Sequence, residues 1–195
     1  MSARVVPETI ENDWDRFYWE FPDIYDRFAV TSPRAVAQID RLFGLHDKVV
    51  VDVGSGTGRS TFALAEKARL VIGIEPWAPP REFAIQKASD QRVENVAFVE
   101  GVAQGLPLRD RSVDLVVAIL GIPLGLEDRN GHLIGEVLVR DAERAVRPGG
   151  YIVSVEGAPR GSLPWLNTLH PMLALVNEST LCSLGGSASA TKMSM

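Results

Sequence analysis

Residues 51–60 read Val51-Asp52-Val53-Gly54-Ser55-Gly56-Thr57-Gly58-Arg59-Ser60. The β-branched, apolar run at residues 48–53 is typical of a parallel strand that is buried on both faces. The three glycines that follow permit positive φ angles and let a ligand approach the backbone closely. A helix that begins after such a turn presents free N–H groups to an anionic group. The segment therefore predicts a strand, a ligand-binding turn and a helix.

The rest of the chain alternates between patterns typical of strands and of helices. Strands are predicted at residues 48–53, 70–75, 96–100, 112–120 and 151–156, and helices near residues 59–68, 81–88 and 133–146. Such alternation implies right-handed βαβ crossovers and a doubly wound, mostly parallel α/β sheet. Pro76, Pro79 and Pro80 predict a turn before the second of these helices.

We divide the chain into three parts. Residues 1–44 form an aromatic and helical N-terminal segment, residues 45–160 the ligand-binding α/β core, and residues 161–195 a short helical segment with a flexible tail.

Composition limits the classes of partner. The chain has 195 residues with a formal net charge of −5, and its 20 Lys and Arg residues are scattered, which disfavours nucleic acid. The single cysteine, Cys182, provides neither an internal disulfide nor a CxxC metal site. No apolar stretch approaches the length of a membrane span, and the N-terminus lacks a signal-peptide pattern. We expect a cytoplasmic protein without a metal or a membrane attachment.

The glycine spacing discriminates between nucleotide cofactors. A GxGxxG dinucleotide fingerprint counted from Gly54 requires glycine where Arg59 stands. The Gly-Lys-Ser/Thr of a Walker loop is absent from the turn. An acidic residue, Glu75, ends the second predicted strand, where a carboxylate can accept hydrogen bonds from both ribose hydroxyls of an adenosine. The alternatives are a turn used only for packing and a solvated carboxylate at a strand end.

Several segments together resemble the class I S-adenosylmethionine-dependent methyltransferases of the small-molecule type. The GxGxG turn is similar to the first motif of that family. Residues 100–116, with Leu106-Pro107 ahead of the fourth strand, and residues 144–151, with Arg147-Pro148-Gly149-Gly150 ahead of the fifth, are similar to later segments. The resemblance spans about residues 52–155. It implies S-adenosylmethionine as cofactor and methyl transfer to a small-molecule acceptor.

The resemblance also implies which residues bind the cofactor. Asp52 and the glycine turn hold the methionine part, and Glu75 holds the ribose. Pro76 and Trp77 pack on the adenine, although a core or subunit contact is an equal alternative for Trp77. The full set is Asp52, Gly54, Ser55, Gly56, Gly58, Glu75, Pro76, Trp77, Val102, Ala103 and Ala118.

One position departs from the family pattern. Val102 stands where the family usually has Asp to receive the adenine amino group. Unless Gln104 or a backbone carbonyl replaces it, the lost hydrogen bond costs about 0.5–1.5 kcal/mol. We expect weakened cofactor binding.

The acceptor side of the site is less marked. His132 is the candidate general base, because it lies nearest the loop at residues 121–126 that follows the fourth strand, but a surface histidine is the commoner interpretation. Tyr18, Trp19 and Tyr25 either cover the cofactor or line the acceptor pocket; the alternative is an amphipathic helix packed on the sheet.

The C-terminal part lacks the two strands with which this family normally completes its sheet. Residues 163–176 have the pattern of a helix broken by Pro171. A sheet that ends at the fifth strand exposes an edge, which predicts self-association or a protein partner there. A cofactor-binding but non-catalytic scaffold, or a subunit of a larger complex, is therefore the alternative to an enzyme.

Overall fold

The computed structural model of the protein describes residues 13–28, 33–119, 131–156 and 173–177. Helices and strands follow one another in these ranges in the order α1 (Asp13–Glu20), α2 (Pro22–Phe28), α3 (Pro33–Phe43), β1 (Val49–Val53), α4 (Arg59–Ala65), β2 (Leu70–Ile74), α5 (Ala78–Gln91), β3 (Val96–Val99), β4 (Val113–Ile119), α6 (Ile134–Ala145), β5 (Val146–Glu156) and β6 (Leu173–Asn177). No helix among these residues is long and apolar enough to cross a membrane.

The strands form one sheet in the order β3-β2-β1-β4-β5-β6, and every pairing in it is parallel. The chain runs outward from β1 through β2 to β3, returns to β4 beside β1, and then runs outward in the other direction. The strand order therefore reverses between β1 and β4, which is where open α/β sheets bind ligands. The predicted doubly wound parallel sheet is confirmed.

Alternate residues of β1 serve the two faces of the sheet. Val51 and Val53 lie in one core cluster with Leu138 of α6, and Val50 lies in a second cluster with Ile39 of α3 and Leu64 of α4. All of β1 is buried. Helices therefore cover both faces of the central strand, as the unbroken apolar run at residues 48–53 requires.

Two elements begin several residues earlier than predicted. Helix α5 begins at Ala78 and includes Pro79 and Pro80 in its first turn, where a missing N–H has no intrahelical partner to lose. The three prolines thus do not all form the turn that we predicted. Strand β5 begins at Val146, and its register with β4 shifts between Val113 and Leu115 to accommodate residues 147–150.

The C-terminal strand β6 pairs with β5 from Ile152↔Leu173 to Glu156↔Asn177. The prediction of a helix at residues 163–176 is therefore wrong for residues 173–176. The run Leu173-Ala174-Leu175-Val176 is too short for its pattern to separate strand from helix, and the hydrogen bonds available along β5 favour the strand. The edge of β5, which we expected to be open, is paired. Residues 163–172 and the predicted tail lie outside the described ranges.

Candidate cofactor site

The glycine turn, residues 54–58, directly follows β1. Gly54, Gly56 and Gly58 have φ angles of 76°, 56° and 83°, in the left-handed region that favours glycine. The backbone N–H groups of Gly54 and Ser55 both donate to the Ile74 carbonyl oxygen, at 2.9 and 3.1 Å. The turn is thereby fixed to the carboxyl end of β2, and α4 begins immediately after it.

Glu75 follows β2 and lies under the glycine turn, 5% exposed. Its Oε2 accepts a hydrogen bond from the Gly56 N–H at 3.0 Å, and its Oε1 accepts one from the Trp77 N–H at 3.0 Å. Burial raises the pKa of Glu75 to about 7, although both backbone bonds act in the opposite direction. Glu75, the residue predicted to bind the ribose, is therefore a buried carboxyl group, and backbone N–H groups on both sides orient it.

Asp52, the penultimate residue of β1, is a second buried carboxyl group at this edge of the sheet. Its Oδ2 accepts a hydrogen bond from the Thr61 hydroxyl at 2.7 Å, and it is 1% exposed. Burial raises the pKa of Asp52 to about 7, and the charge of Glu75 acts in the same direction. Two such groups favour a ligand with positive charge, because a nearby cation stabilises their ionised forms.

The two hydroxyl groups of the glycine turn are both buried. Ser55 Oγ lies against β2, 2.8 Å from the position that a Cβ on Gly73 would take, so it faces the sheet. Thr57 Oγ1 has no hydrogen-bond partner among the described residues. Thr57 was not among the predicted site residues, although its place between two glycines marks it in the sequence.

The segment after Glu75 is fixed by Arg81, a residue for which no sequence pattern predicts a role. Arg81 donates to the carbonyl oxygens of Glu75 and Pro76, at 2.8 and 3.0 Å, and to Glu100 Oε2 at 2.8 Å. Trp77 precedes the first residue of α5 and is partly buried. Pro76 is exposed beside it.

The loop after β3 brings Val102 and Ala103 to the same region. Ala103 is buried in the core cluster that also contains Val53 and Ala118. Val102 is 46% exposed, and its carbonyl oxygen accepts a hydrogen bond from the Gly105 N–H at 3.2 Å. That carbonyl therefore already accepts one hydrogen bond within the loop.

Helix α6 braces this loop. Asp141 accepts hydrogen bonds from the Leu106 N–H and, at 2.9 Å, from Arg144 Nε. Arg144 also donates to the carbonyl oxygens of Leu108 and Leu106, at 2.7 and 3.1 Å, and to Asp110 Oδ1 at 2.7 Å. These motif residues therefore shape the loop.

His132 lies two residues before α6 and is exposed. The loop at residues 121–126, beside which we expected it to act, falls outside the described ranges, so its role as a base stays a prediction. Within the residues that the structure describes, no group of three or more His, Cys, Asp or Glu side chains is arranged to hold a metal.

Aromatic side chains of α1 and α2 cover the site. The Tyr18 hydroxyl lies 2.5 Å from the position that a Cβ on Gly56 would take. The ring centroids of Tyr18 and Trp77 are 5.6 Å apart, and those of Trp19 and Trp77 are 6.2 Å apart. Tyr18 also packs edge-on against Tyr25 at 4.6 Å. Of the aromatic residues predicted to cover the cofactor, Tyr18 thus lies at the glycine turn, while Trp19 packs on Trp77 and Tyr25 on Tyr18.

Comparison with known proteins agrees with the family resemblance that the sequence motifs indicate for the core of the chain. A family model described as "Methyltransferase domain" matches residues 51–154. A tRNA (guanine-N(7)-)-methyltransferase of Chloroflexus aggregans is 29% identical, over 70% of this chain and 63% of that protein. A malonyl-[acyl-carrier protein] O-methyltransferase of a Marinomonas species is 31% identical, over 72% of this chain and 49% of that protein. The chain spans about half to two thirds of the length of these relatives.

A solved structure shares the fold and binds an adenosyl ligand. Phosphoethanolamine N-methyltransferase 1 of Haemonchus contortus, in complex with phosphoethanolamine and S-adenosylhomocysteine, superposes with a TM-score of 0.51 at 28% identity, covering 70% of this chain and 31% of that one. The family match runs from β1 and the glycine turn into β5, over more than half of the chain. The chain therefore belongs to the class I S-adenosylmethionine-dependent methyltransferase family.

Proposed function

We propose that this chain binds S-adenosylmethionine at the carboxyl ends of β1 and β2 and transfers its methyl group to a small-molecule acceptor. The observation that supports the proposal most strongly is the environment of Glu75. Glu75 is a buried carboxyl group, held between the Gly56 and Trp77 N–H groups, beside a turn of three left-handed glycines. A carboxylate in this position suits the two ribose hydroxyls of an adenosine.

The residues present fit the cofactor in charge as well as in hydrogen bonding. Asp52 and Glu75 are buried carboxyl groups whose pKa values lie at about 7. A sulfonium and an ammonium group nearby favour the ionised forms of both. In this proposal Asp52 receives the amino group, Glu75 the ribose, and Trp77 the adenine, with Ala103 at the adenine edge. The buried Thr57 hydroxyl supplies one further polar contact.

S-adenosylmethionine supplies a methyl group that its positively charged sulfur has made electrophilic. The contribution of the chain is therefore mainly to bind and to align the acceptor, which accounts for much of the rate in such transfers. A general base is needed only when the acceptor holds its proton near neutral pH. His132 is our candidate for that role.

A small acceptor is favoured by the charge of the chain. The formal net charge of −5 disfavours a nucleic-acid backbone as the main partner. The relatives carry names that refer to tRNA and to malonyl-[acyl-carrier protein], and the solved relative holds phosphoethanolamine. Because these acceptors differ, the acceptor has to be identified by experiment.

Methyl transfer from labelled S-adenosylmethionine tests the proposed activity. The protein is incubated with a fractionated small-molecule extract and, separately, with tRNA. We expect label in a small-molecule fraction and a loss of that label with the Glu75→Gln variant. Label in tRNA alone would contradict the small acceptor. Cofactor binding without transfer to any fraction would favour the non-catalytic scaffold.

The edge of β5 is paired with β6 over five residues, so the self-association that we expected at that edge lacks its structural basis. A single parallel strand does not replace the two strands with which the family normally completes its sheet. The transfer assay therefore separates the enzyme from the scaffold alternative.

A further inference from the structure

Helices α1 and α2, here called the N-terminal cap, place Tyr18 over the glycine turn. The Tyr18 hydroxyl comes within 2.5 Å of the Cβ position on Gly56, so the ring rests on the backbone that a ligand would approach. Burial, together with the charge of Glu75, raises the pKa of Tyr18 well above its ordinary value. The phenol is therefore neutral and enclosed. A ligand that lies on the Gly56 backbone requires this ring to move.

Asp26 of α2 ties the cap to the rest of the molecule. Its Oδ2 is 2.7 Å from Lys87 Nζ of α5, and the two side chains are only 15% and 21% exposed. Its backbone carbonyl accepts a hydrogen bond from Arg59, the first residue of α4. Lys87 Nζ also lies 5.2 Å from the centroid of the Phe62 ring. One residue of the cap thus contacts both helices that flank the site.

Other ion pairs of the N-terminal cap lie on exposed surface and within single helices. Arg16 pairs with Glu20, and Arg27 lies 3.9 Å from Asp23, each within its own helix and on exposed surface. Such pairs contribute little to stability. A partly buried pair between elements is worth more, because breaking it leaves a charge without its partner in a less polar environment.

We infer that Asp26 is a positioning residue that holds the cap closed over the glycine turn, so that cofactor exchange requires its contacts with Lys87 and Arg59 to open. The inference rests on the proposed function, since it concerns the exchange of that cofactor. Tyr18 and Asp26 lie on helices separated only by Phe21, and the Tyr18 ring packs on Tyr25, next to Asp26. Movement of one helix therefore moves the other.

A closed cap has a kinetic signature that a simple binding contact lacks. The open fraction limits both entry to the free site and exit from the occupied one. Loosening the cap therefore raises the association and dissociation rate constants together and changes the dissociation constant less than either. Loss of a contact that only stabilises the complex raises the dissociation rate constant alone.

The test measures both rate constants for S-adenosylhomocysteine by stopped-flow tryptophan fluorescence, since Trp19 and Trp77 lie beside Tyr18. For Asp26→Asn we expect each to rise about tenfold, the factor that corresponds to about 1.4 kcal/mol. Lys87→Met removes the same ion pair from α5 and should give the same pattern. If Asp26→Asn fails to fold, Lys87→Met alone tests the inference. Asp23→Asn makes the same chemical change on exposed surface of the same helix and should leave both rate constants unchanged.

Three results would overturn the inference. Unchanged rate constants in the folded Asp26 and Lys87 variants mean that the ion pair does not hold the cap closed. A rise in the dissociation rate constant alone means that Asp26 supports only the bound complex. If the wild-type protein binds no S-adenosylhomocysteine, the proposed function fails and this inference fails with it.

Discussion

Among single residues, Glu75 carries most of the proposed cofactor site. It joins the turn after β1 to the segment after β2, because its two oxygens accept hydrogen bonds from Gly56 and Trp77. Neutralising it removes the charged acceptor for a ribose while retaining the size of the side chain. Because both oxygens of Glu75 accept backbone N–H groups, Gln also loses one of these two bonds, so thermal melts accompany the binding measurement.

For Glu75→Gln we expect adenosyl-ligand binding to weaken by about 1.5–3 kcal/mol, the scale of a hydrogen bond to a charged group. Isothermal titration calorimetry with S-adenosylhomocysteine measures this change. Glu94→Gln is the matched control, because Glu94 lies just before the adjacent strand β3 and is exposed. Equal affinities for Glu75→Gln and the wild type would remove Glu75 from the site.

Gly56 offers a test of ligand approach. Gly56 and Gly44 have nearly the same left-handed φ, 56° and 60°, but only Gly56 has an atom near its Cβ position. Alanine at either position costs roughly 1–2 kcal/mol in backbone strain. We expect both variants to lose stability in thermal melts, and only Gly56→Ala to lose ligand affinity as well. Matching affinities for the two variants would contradict a ligand that lies on the Gly56 backbone.

The buried carboxyl groups predict a pH dependence of stability. Their pKa values are raised from 3.8 and 4.5 to about 7, so between these limits the native state holds protons that the unfolded state has released. Stability should therefore fall as pH rises through this window, by up to about 1.4 kcal/mol per pH unit for each such proton. The free energy of unfolding from urea titrations at several pH values measures the slope.

Asp52→Asn isolates one of these protons, since the amide oxygen can still accept the Thr61 hydroxyl bond. The variant should gain stability relative to the wild type as pH rises, and the difference should shrink as pH falls toward about 4. Parallel curves for variant and wild type would show that Asp52 does not titrate in this range.

At the level of elements, α6 determines the shape of the loop that follows β3. Arg144 donates hydrogen bonds to two loop carbonyl oxygens and to Asp110, and Asp141 holds the Leu106 N–H. Ala103, the predicted adenine contact, lies in this loop. The sequence motif around Arg144 is thus connected to cofactor binding through loop geometry.

Arg144→Lys should lower both the melting temperature and the affinity for S-adenosylhomocysteine, because one ammonium group cannot reach all of these acceptors. The loss of two or three partly exposed hydrogen bonds should cost about 1 kcal/mol of stability. Arg140→Lys on the exposed surface of the same helix is the control. Loss of stability with full affinity would separate the loop from the cofactor site.

For the molecule as a whole, local patterns predicted the sheet and the position of the site. The buried run at residues 48–53, the glycine turn and Glu75 are short-range signals, and they lie where parallel strands bring their carboxyl ends together. The contacts that complete the site are long-range. Asp26 and Lys87 are 61 positions apart, and no local pattern marks such a pair. Strand β6 was not predicted because a run of four apolar residues fits a helix as well as a strand. Only the hydrogen bonds with β5 distinguish the two.

The most direct test of the central claim is calorimetric titration of the full chain with S-adenosylhomocysteine and, separately, with NADH. We predict one binding site for S-adenosylhomocysteine and no binding of NADH, because Arg59 replaces the last glycine of the dinucleotide fingerprint. Thermal melts should agree, with a stabilisation of about 2.7 kcal/mol when the ligand is at a hundred times its dissociation constant. Binding of NADH without binding of S-adenosylhomocysteine would contradict the account.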